Sequence, residues 1–410
     1  MNPSPPARDA VLRHRDFRLF LASQAVNEVG RSMFPVALVG VVLLHHGPAE
    51  LGLLLAIRGI TASIVGLGAG VLVNRGRKSR ALLANDIAQC AVVLVFATEP
   101  GSFAVLLALS AVSGFFSSVG EPAAGSLVPV LLAEDQLQRG NALKSIANRG
   151  AAIAGPALAG VLLTVADTRA VFLANAATFV VSATLLLAIR EKRGRTTGER
   201  LRFLEDLGTG LAEVRRRPWV VAIIAIATAQ APLMVAPGFA LLPVVVAETY
   251  PAMVYGLALS FMAAGEVAGG VLGSRWQPRR PGLVSLAGVL PYPLVLLALA
   301  AALPSPVILA GYLAAGTGFM LFGIYWYTAL QRAIPADRLG VVLSIDQVGS
   351  FGLEPIGYAV SGVLAETIGP RRVLFGAGII GLVMTLLPLG VRGVPRLADD
   401  TGIPAGSPSR

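Results

Sequence analysis

The chain has 410 residues, of which 55% are hydrophobic and only 14% charged, with a formal net charge of +10; soluble domains carry about 25% charged residues. With a mean hydropathy of +0.73, this excludes a water-soluble globular protein and makes lipid the solvent for most of the chain. The single cysteine, Cys90, excludes an intramolecular disulfide.

A bilayer core is crossed by about 20 apolar helical residues. The polar stretch Met1 to Arg18 comes first, and the apolar run after it is too long for a signal peptide core. Apolar runs then predict spans at 19–44, 51–73, 81–98, 103–131, 145–165 and 170–189. After a polar stretch, six more follow at 220–246, 253–273, 283–303, 306–333, 341–366 and 372–391. Lipid satisfies no backbone group, so these runs must be helices. A barrel strand would be polar at every second residue, and Ala104 to Leu109 shows no such alternation.

The arginines and lysines predict orientation. The N-terminal stretch, the loops after the second, fourth, eighth and tenth spans, the central stretch and the C-terminal stretch together hold 27 of them. The opposite loops hold three: Arg169, Arg371 and Arg372. Both termini and the central loop are therefore expected on the cytoplasmic side. The positive charge is a topological signal, and nucleic acid is not expected as a partner.

The sequence repeats itself. Gly70-Val71-Leu72-Val73-Asn74-Arg75 returns 200 residues later as Gly270-Val271-Leu272-Gly273-Ser274-Arg275, and Gly160-Val161-Leu162 returns 202 residues later as Gly362-Val363-Leu364. An offset this constant predicts two parallel six-helix halves, 1–189 and 220–391, joined by a cytoplasmic linker at 190–219 and followed by a tail at 392–410. Within the linker, 201–207 can form an amphipathic surface helix. Parallel halves of this kind are a transporter architecture that binds substrate between them.

These residues resemble the major facilitator superfamily. Gly70, Leu72, Arg75 and Lys78 fit the family's loop signature after the second helix, with Asn74 in place of its aspartate and the second glycine displaced by one at Gly76. Gly155-Pro156-Ala157-Leu158-Ala159-Gly160 resembles the family's antiporter motif, with Ala159 in place of one glycine. The stretch from Tyr325-Trp326-Tyr327 to Gly362 resembles the subgroup of bacterial drug exporters and the enterobactin exporter. The resemblance implies an all-α protein of twelve transmembrane helices in two parallel six-helix bundles, acting as a monomer in the bacterial cytoplasmic membrane. The activity it implies is alternating-access export of a hydrophobic or amphipathic molecule (a drug, natural product or siderophore) by proton antiport. A facilitator or symporter importing a small nutrient is the alternative.

Charge inside a bilayer is costly, so an intramembrane ionisable residue is a functional candidate. Glu28 and Arg31, three residues apart on the first span, form either a proton-exchanging site or a static ion pair. Glu121 precedes Pro122, and Glu354 precedes Pro355; each is a second candidate for proton coupling or is structurally paired. Arg58 reads as structural. Asp86 is expected to brace the loop at Arg75 to Arg80, with Arg149 and Asp346 in similar roles and Glu266 anchoring the loop at Arg275. Tyr325, Trp326, Tyr327, Gln331 and Gln230 are cavity candidates, the aromatic faces being suited to an amphipathic ligand or a cation. Simple packing is the other reading. The sequence contains no nucleotide-binding P-loop, no zinc-protease HExxH and no GxSxG nucleophile motif, so neither enzyme chemistry, a metal nor an organic cofactor is expected. A proton gradient is the expected driving force.

Overall fold

The computed structural model describes residues 11–74, 77–133, 136–191, 208, 211–334 and 336–398, without the side chains of 44, 66–74, 121–122, 138–139, 142, 336–338, 340, 344 and 351. Among the described residues there is no strand. The first six long helices are α1 (Arg15–His45), α2 (Pro48–Asn74), α3 (Lys78–Phe96), α4 (Phe103–Leu131), α5 (Leu137–Val165) and α6 (Thr168–Leu187). The second six begin with α7 (Pro218–Thr249), α8 (Met253–Arg275) and α9 (Pro281–Ala300). They continue with α10 (Ser305–Ala333), α11 in two pieces, α11a (Ala336–Phe351) and α11b (Glu354–Ile368), and α12 (Pro370–Leu386). Among the described residues, eleven helices are long and apolar enough to cross a membrane. The twelfth predicted span, 341–366, is divided between α11a and α11b.

That division has a local cause. Gly352 and Leu353 form a turn between the pieces, and Pro355, with no amide hydrogen, is tolerated in the first turn of a helix. Proline also explains the irregularity of α7, where Pro232 lies in a π turn at Ala231–Val235. In α9 the regular helix is interrupted at Leu290, ahead of Pro291.

Apolar residues face outward along much of the helix surface; Val165 and Leu187 are 74% and 68% exposed. In water such a surface would be an aggregation hazard, and in lipid it is the expected exterior. The buried apolar residues fall into three groups. One unites both halves at the arginine-poor end, with Phe34, Leu51, Phe172, Leu241 and Tyr312 among its members. At the arginine-rich end the core is split into a first-half group around Phe17, Phe20 and Leu127 and a second-half group around Trp219, Trp326 and Leu330. Among the described residues the cores of the two halves are thus joined at one end and separate at the other.

Small residues make the junction. Gly52 on α2 faces the carbonyl of Tyr358 and the Cα of Gly362 on α11b, and Gly256 on α8 faces the carbonyl of Pro156 and the Cα of Gly160 on α5. Lipid offers little hydrophobic drive for helix association, so close backbone approach through glycine is what brings such pairs together. The repeated Gly160 and Gly362 therefore occupy matching places, one in each crossing.

Candidate functional site

Two sites lie in the membrane layer, one in each half. The first is built on α1, α3 and α6. The backbone spacing of α1 turns Asn27 toward α3, where its amide Nδ2 donates to Asp86 Oδ1 at 2.7 Å. Ser182 Oγ on α6 donates to Asp86 Oδ2 at 2.6 Å, and Asn85 Nδ2 donates to Oδ1 at 3.4 Å. Asp86 is 1% exposed. It does not brace the loop after α2, because it points into the bundle and its acceptor sites are taken by neutral donors from α1, α3 and α6. The start of α3 is held by another carboxylate: Glu191 accepts from the amides of Lys78 and Ser79, both at 2.9 Å, and from Ser79 Oγ at 2.6 Å.

Beside Asp86, Arg31 Nη2 meets Glu28 Oε2 at 2.5 Å and Arg31 Nε donates to the same oxygen at 2.8 Å. Glu28, Arg31, Asn27, Asp86, Gln24 and Gln89 line one cleft of about 40 Å³. That volume admits water and excludes a drug-sized molecule. Nearby, the Arg58 guanidinium stacks at 5.0 Å from the Phe34 ring, and its Nε has no hydrogen-bond partner. Among the described residues no carboxylate lies within the 4.0 Å ion-pair distance of Arg58.

The second site is larger and apolar. A cavity of about 430 Å³ opens inside the second half, with Trp326 and Phe322 of α10, Gln230 and Met234 of α7 and Phe239 among its walls. The size is in the range of small-molecule sites. Its lining includes three acidic residues, Glu266, Asp346 and Glu354, and no lysine, arginine or histidine. Trp326 Nε1 donates to Asp346 Oδ2 at 3.1 Å, with Ser350 Oγ donating to Oδ1 at 3.4 Å. Tyr358 Oη donates to Glu354 Oε1 at 2.6 Å. Gln230 Nε2 donates to Thr385 Oγ1 at 2.9 Å, fixing the amide at the wall. Asp346 therefore joins α11a to α10 and faces the cavity, where a loop-bracing role was expected.

Glu266 and Arg149 also depart from expectation. They pair with one another across the two halves, from α8 to α5, and neither braces a loop. Glu266 lines the large cavity and also an adjoining slot that contains Arg149, Tyr327 and Gln331.

The remaining predicted residues divide clearly. Gln230, Trp326, Tyr327 and Glu354 meet at the large cavity, and Gln331 at the slot. Tyr325 turns away; its hydroxyl donates to the carbonyl of Trp276 at 3.0 Å, which ties α10 to the end of α8. Gly155 packs against Val29 and Ser32 of α1 while Pro156 and Gly160 face α8, so the motif joins three helices at the crossing. Gly70 and Asn74 lie on α2, with their surroundings outside the described residues, as are Arg75 and the side chain of Glu121. Sequence reasoning missed Asn27, Asn85 and Ser182 around Asp86, since an uncharged polar residue in a span costs less than a charge and is common at helix contacts.

The Major Facilitator Superfamily model matches residues 20–353. An uncharacterized MFS-type transporter, YfiS, of Bacillus subtilis (strain 168) is 25% identical over 383 residues, covering 90% of this chain and 91% of its own. Macrolide efflux protein A of Streptococcus pyogenes is 22% identical over 408 residues, covering 90% of this chain and 94% of its own. Among solved structures, the nucleoside transporter NupG has a TM-score of 0.72 at 10% identity, covering 91% of this chain and 99% of that one. A bacterial homologue of the iron transporter ferroportin has a TM-score of 0.66 at 17% identity, covering 92% and 98%. The cavities, the glycine crossings and the two-bundle architecture thus belong to a multi-pass membrane transporter, and the chain is a member of the Major Facilitator Superfamily.

Proposed function

We propose that this transporter exports a hydrophobic or amphipathic small molecule in exchange for protons. The observation that carries the reading is the division between the two sites. The first-half cleft is polar, holds Asp86, Glu28 and Arg31, and has room only for water. The second-half cavity is mostly apolar and large enough for an organic molecule. One site is suited to carry protons and the other to carry substrate, and the crossings between halves are where their occupancies would be coupled. Similarity to a macrolide efflux protein and the resemblance to drug and siderophore exporters support the outward direction.

Orientation follows from charge. The 27-to-3 distribution of arginine and lysine supports a bacterial cytoplasmic membrane location with both termini and the 190–219 linker on the cytoplasmic side. On that orientation the split core faces the cytoplasm, and the joined core seals the outer side.

Transport in proteoliposomes under an imposed pH gradient tests the reading. Uptake or release of an amphipathic antibiotic that collapses with a protonophore supports antiport. Movement indifferent to the gradient would leave a facilitator, and co-directional movement with protons would leave an importing symporter.

A further inference from the structure

We propose that the Arg149–Glu266 ion pair is a substrate-displaceable latch between the two halves, and that the displacing ligand is a lipophilic cation seated in the second-half cavity. The inference rests on the transporter reading above and adds both a substrate class and the contact it breaks.

The cavity itself defines the ligand. Its walls are mainly apolar and aromatic, and its three charged residues are all acidic. The hydrogen bonds that Asp346 and Glu354 receive come from neutral groups: an indole, a serine hydroxyl and a phenol. No arginine or lysine lies within the 4.0 Å ion-pair distance of either carboxylate among the described residues. Neutral donors partly solvate a carboxylate but do not cancel its charge, and in a low-dielectric site the uncancelled field is strong. A monocation with apolar substituents would supply the countercharge and fill the volume. Trp326 and Phe322, stacked at 6.3 Å between ring centres, both line the cavity and add aromatic surface for the same cation.

Among the described residues Glu266 is the one cavity carboxylate with a cationic partner, and that partner comes from the other half. Other links between the halves are made nearer the arginine-poor end. Ala49 donates its amide to Glu366 at 3.1 Å and Ser260 Oγ donates to the carbonyl of Ile153 at 2.8 Å. The ion pair lies deeper than these, on the border of the open half, with Glu266 facing both the cavity and the Arg149 slot. A cation entering the cavity competes with Arg149 for one carboxylate. Its binding energy would therefore be coupled directly to the contact that holds α5 against α8.

Equilibrium binding of tetraphenylphosphonium to the purified full-length protein, with tetraphenylborate as the anion of matching shape, tests both parts. The phosphonium is expected to bind and the borate to fail. Glu354→Gln and Glu266→Gln should each weaken phosphonium binding about tenfold, the effect of losing roughly one charge-assisted contact. Arg149→Gln should tighten it severalfold, because Glu266 is released to the ligand, and Arg149→Lys should fall nearer the wild type. A purely structural ion pair would give the opposite sign for Arg149→Gln. Equal binding of borate and phosphonium, or acidic-to-amide variants without effect, overturns the cation site; Arg149→Gln binding no tighter than wild type overturns the latch. Gradient-driven export of a neutral compound with no phosphonium binding overturns this inference and leaves export standing. The predicted binding pattern without gradient-driven movement sustains the inference and removes the antiport reading.

Discussion

Trp326 and Asp346 are joined by an indole-to-carboxylate hydrogen bond of 3.1 Å, between α10 and the first piece of α11. Trp326 is also packed edge-on against Trp219, 5.8 Å between ring centres, so one side chain links α7, α10 and α11a. Trp326→Phe keeps most of the packing and removes the donor. We expect a loss of about 1–3 kcal/mol in stability, the range for a buried acceptor left with one fewer partner. Thermal unfolding in detergent measures the loss, and a fall in affinity for a cavity ligand should accompany it. Unchanged stability and affinity would show that Ser350 alone satisfies Asp346.

Asp86 and Glu28 line the same cleft but have different neighbours. Protonating Glu28 removes the anion that meets Arg31 at 2.5 Å, and so breaks an ion pair inside the span. Among the described residues, protonating Asp86 disturbs hydrogen bonds from the neutral donors Asn27, Asn85 and Ser182. Asp86→Asn should therefore abolish the dependence of transport on an imposed pH gradient while the protein still folds. Glu28→Gln should lower the rate and preserve the dependence. The rate measured as a function of the gradient for both variants decides between them, and a reversed pattern would return the coupling role to Glu28.

The fold was legible in the sequence because the bilayer simplifies it. Apolar runs of fixed length can only be helices, and the placement of arginine orients them. The 200-residue echo of Gly70 to Arg75 at Gly270 to Arg275 marks the duplication. The break in α11 was less visible, since Glu354 reads as a single charge inside one long apolar span and only the backbone chemistry of Gly352 and Pro355 betrays the interruption. The sites were half legible. Charge in a span marked Glu28, Glu354, Asp86, Arg149 and Glu266 as unusual. Their partners were hidden, because Arg149 and Glu266 are separated by 117 residues and Asp86 and Ser182 by 96. Nearby basic loops offered Asp86 and Glu266 plausible local partners, and tertiary packing overrode them.

Glu191 illustrates the same point and gives a separate test. It lies just beyond α6 and closes the first turn of α3, accepting from two backbone amides and the hydroxyl of Ser79. Capping groups of this kind contribute about 0.5–2 kcal/mol. Glu191→Ala should lower the thermal unfolding midpoint and leave ligand affinity unaltered, while Glu191→Gln should recover part of the loss. An unfolding midpoint equal to that of the wild type would mean that solvent replaces the cap.

The glycine crossings set the range of motion available to the two halves. Gly256 has backbone atoms of Pro156 and Gly160 against the position a Cβ would take, so a larger residue must separate α8 from α5. Overpacking of this kind costs about 1–3 kcal/mol. Because it acts where the halves are joined, the penalty falls on the joined state and not evenly on every state of the cycle. Gly256→Val should therefore depress transport strongly while insertion and secondary structure persist. Gly101, in the loop between α3 and α4, has nothing within 4 Å of that position, so Gly101→Val should transport at the wild-type rate. Proteoliposome rates for the two variants, normalised to folded protein, make the comparison. Equal rates would show that the crossing tolerates separation, and the seal between halves would then rest on the apolar core around Phe34 and Leu241 instead of on the glycines.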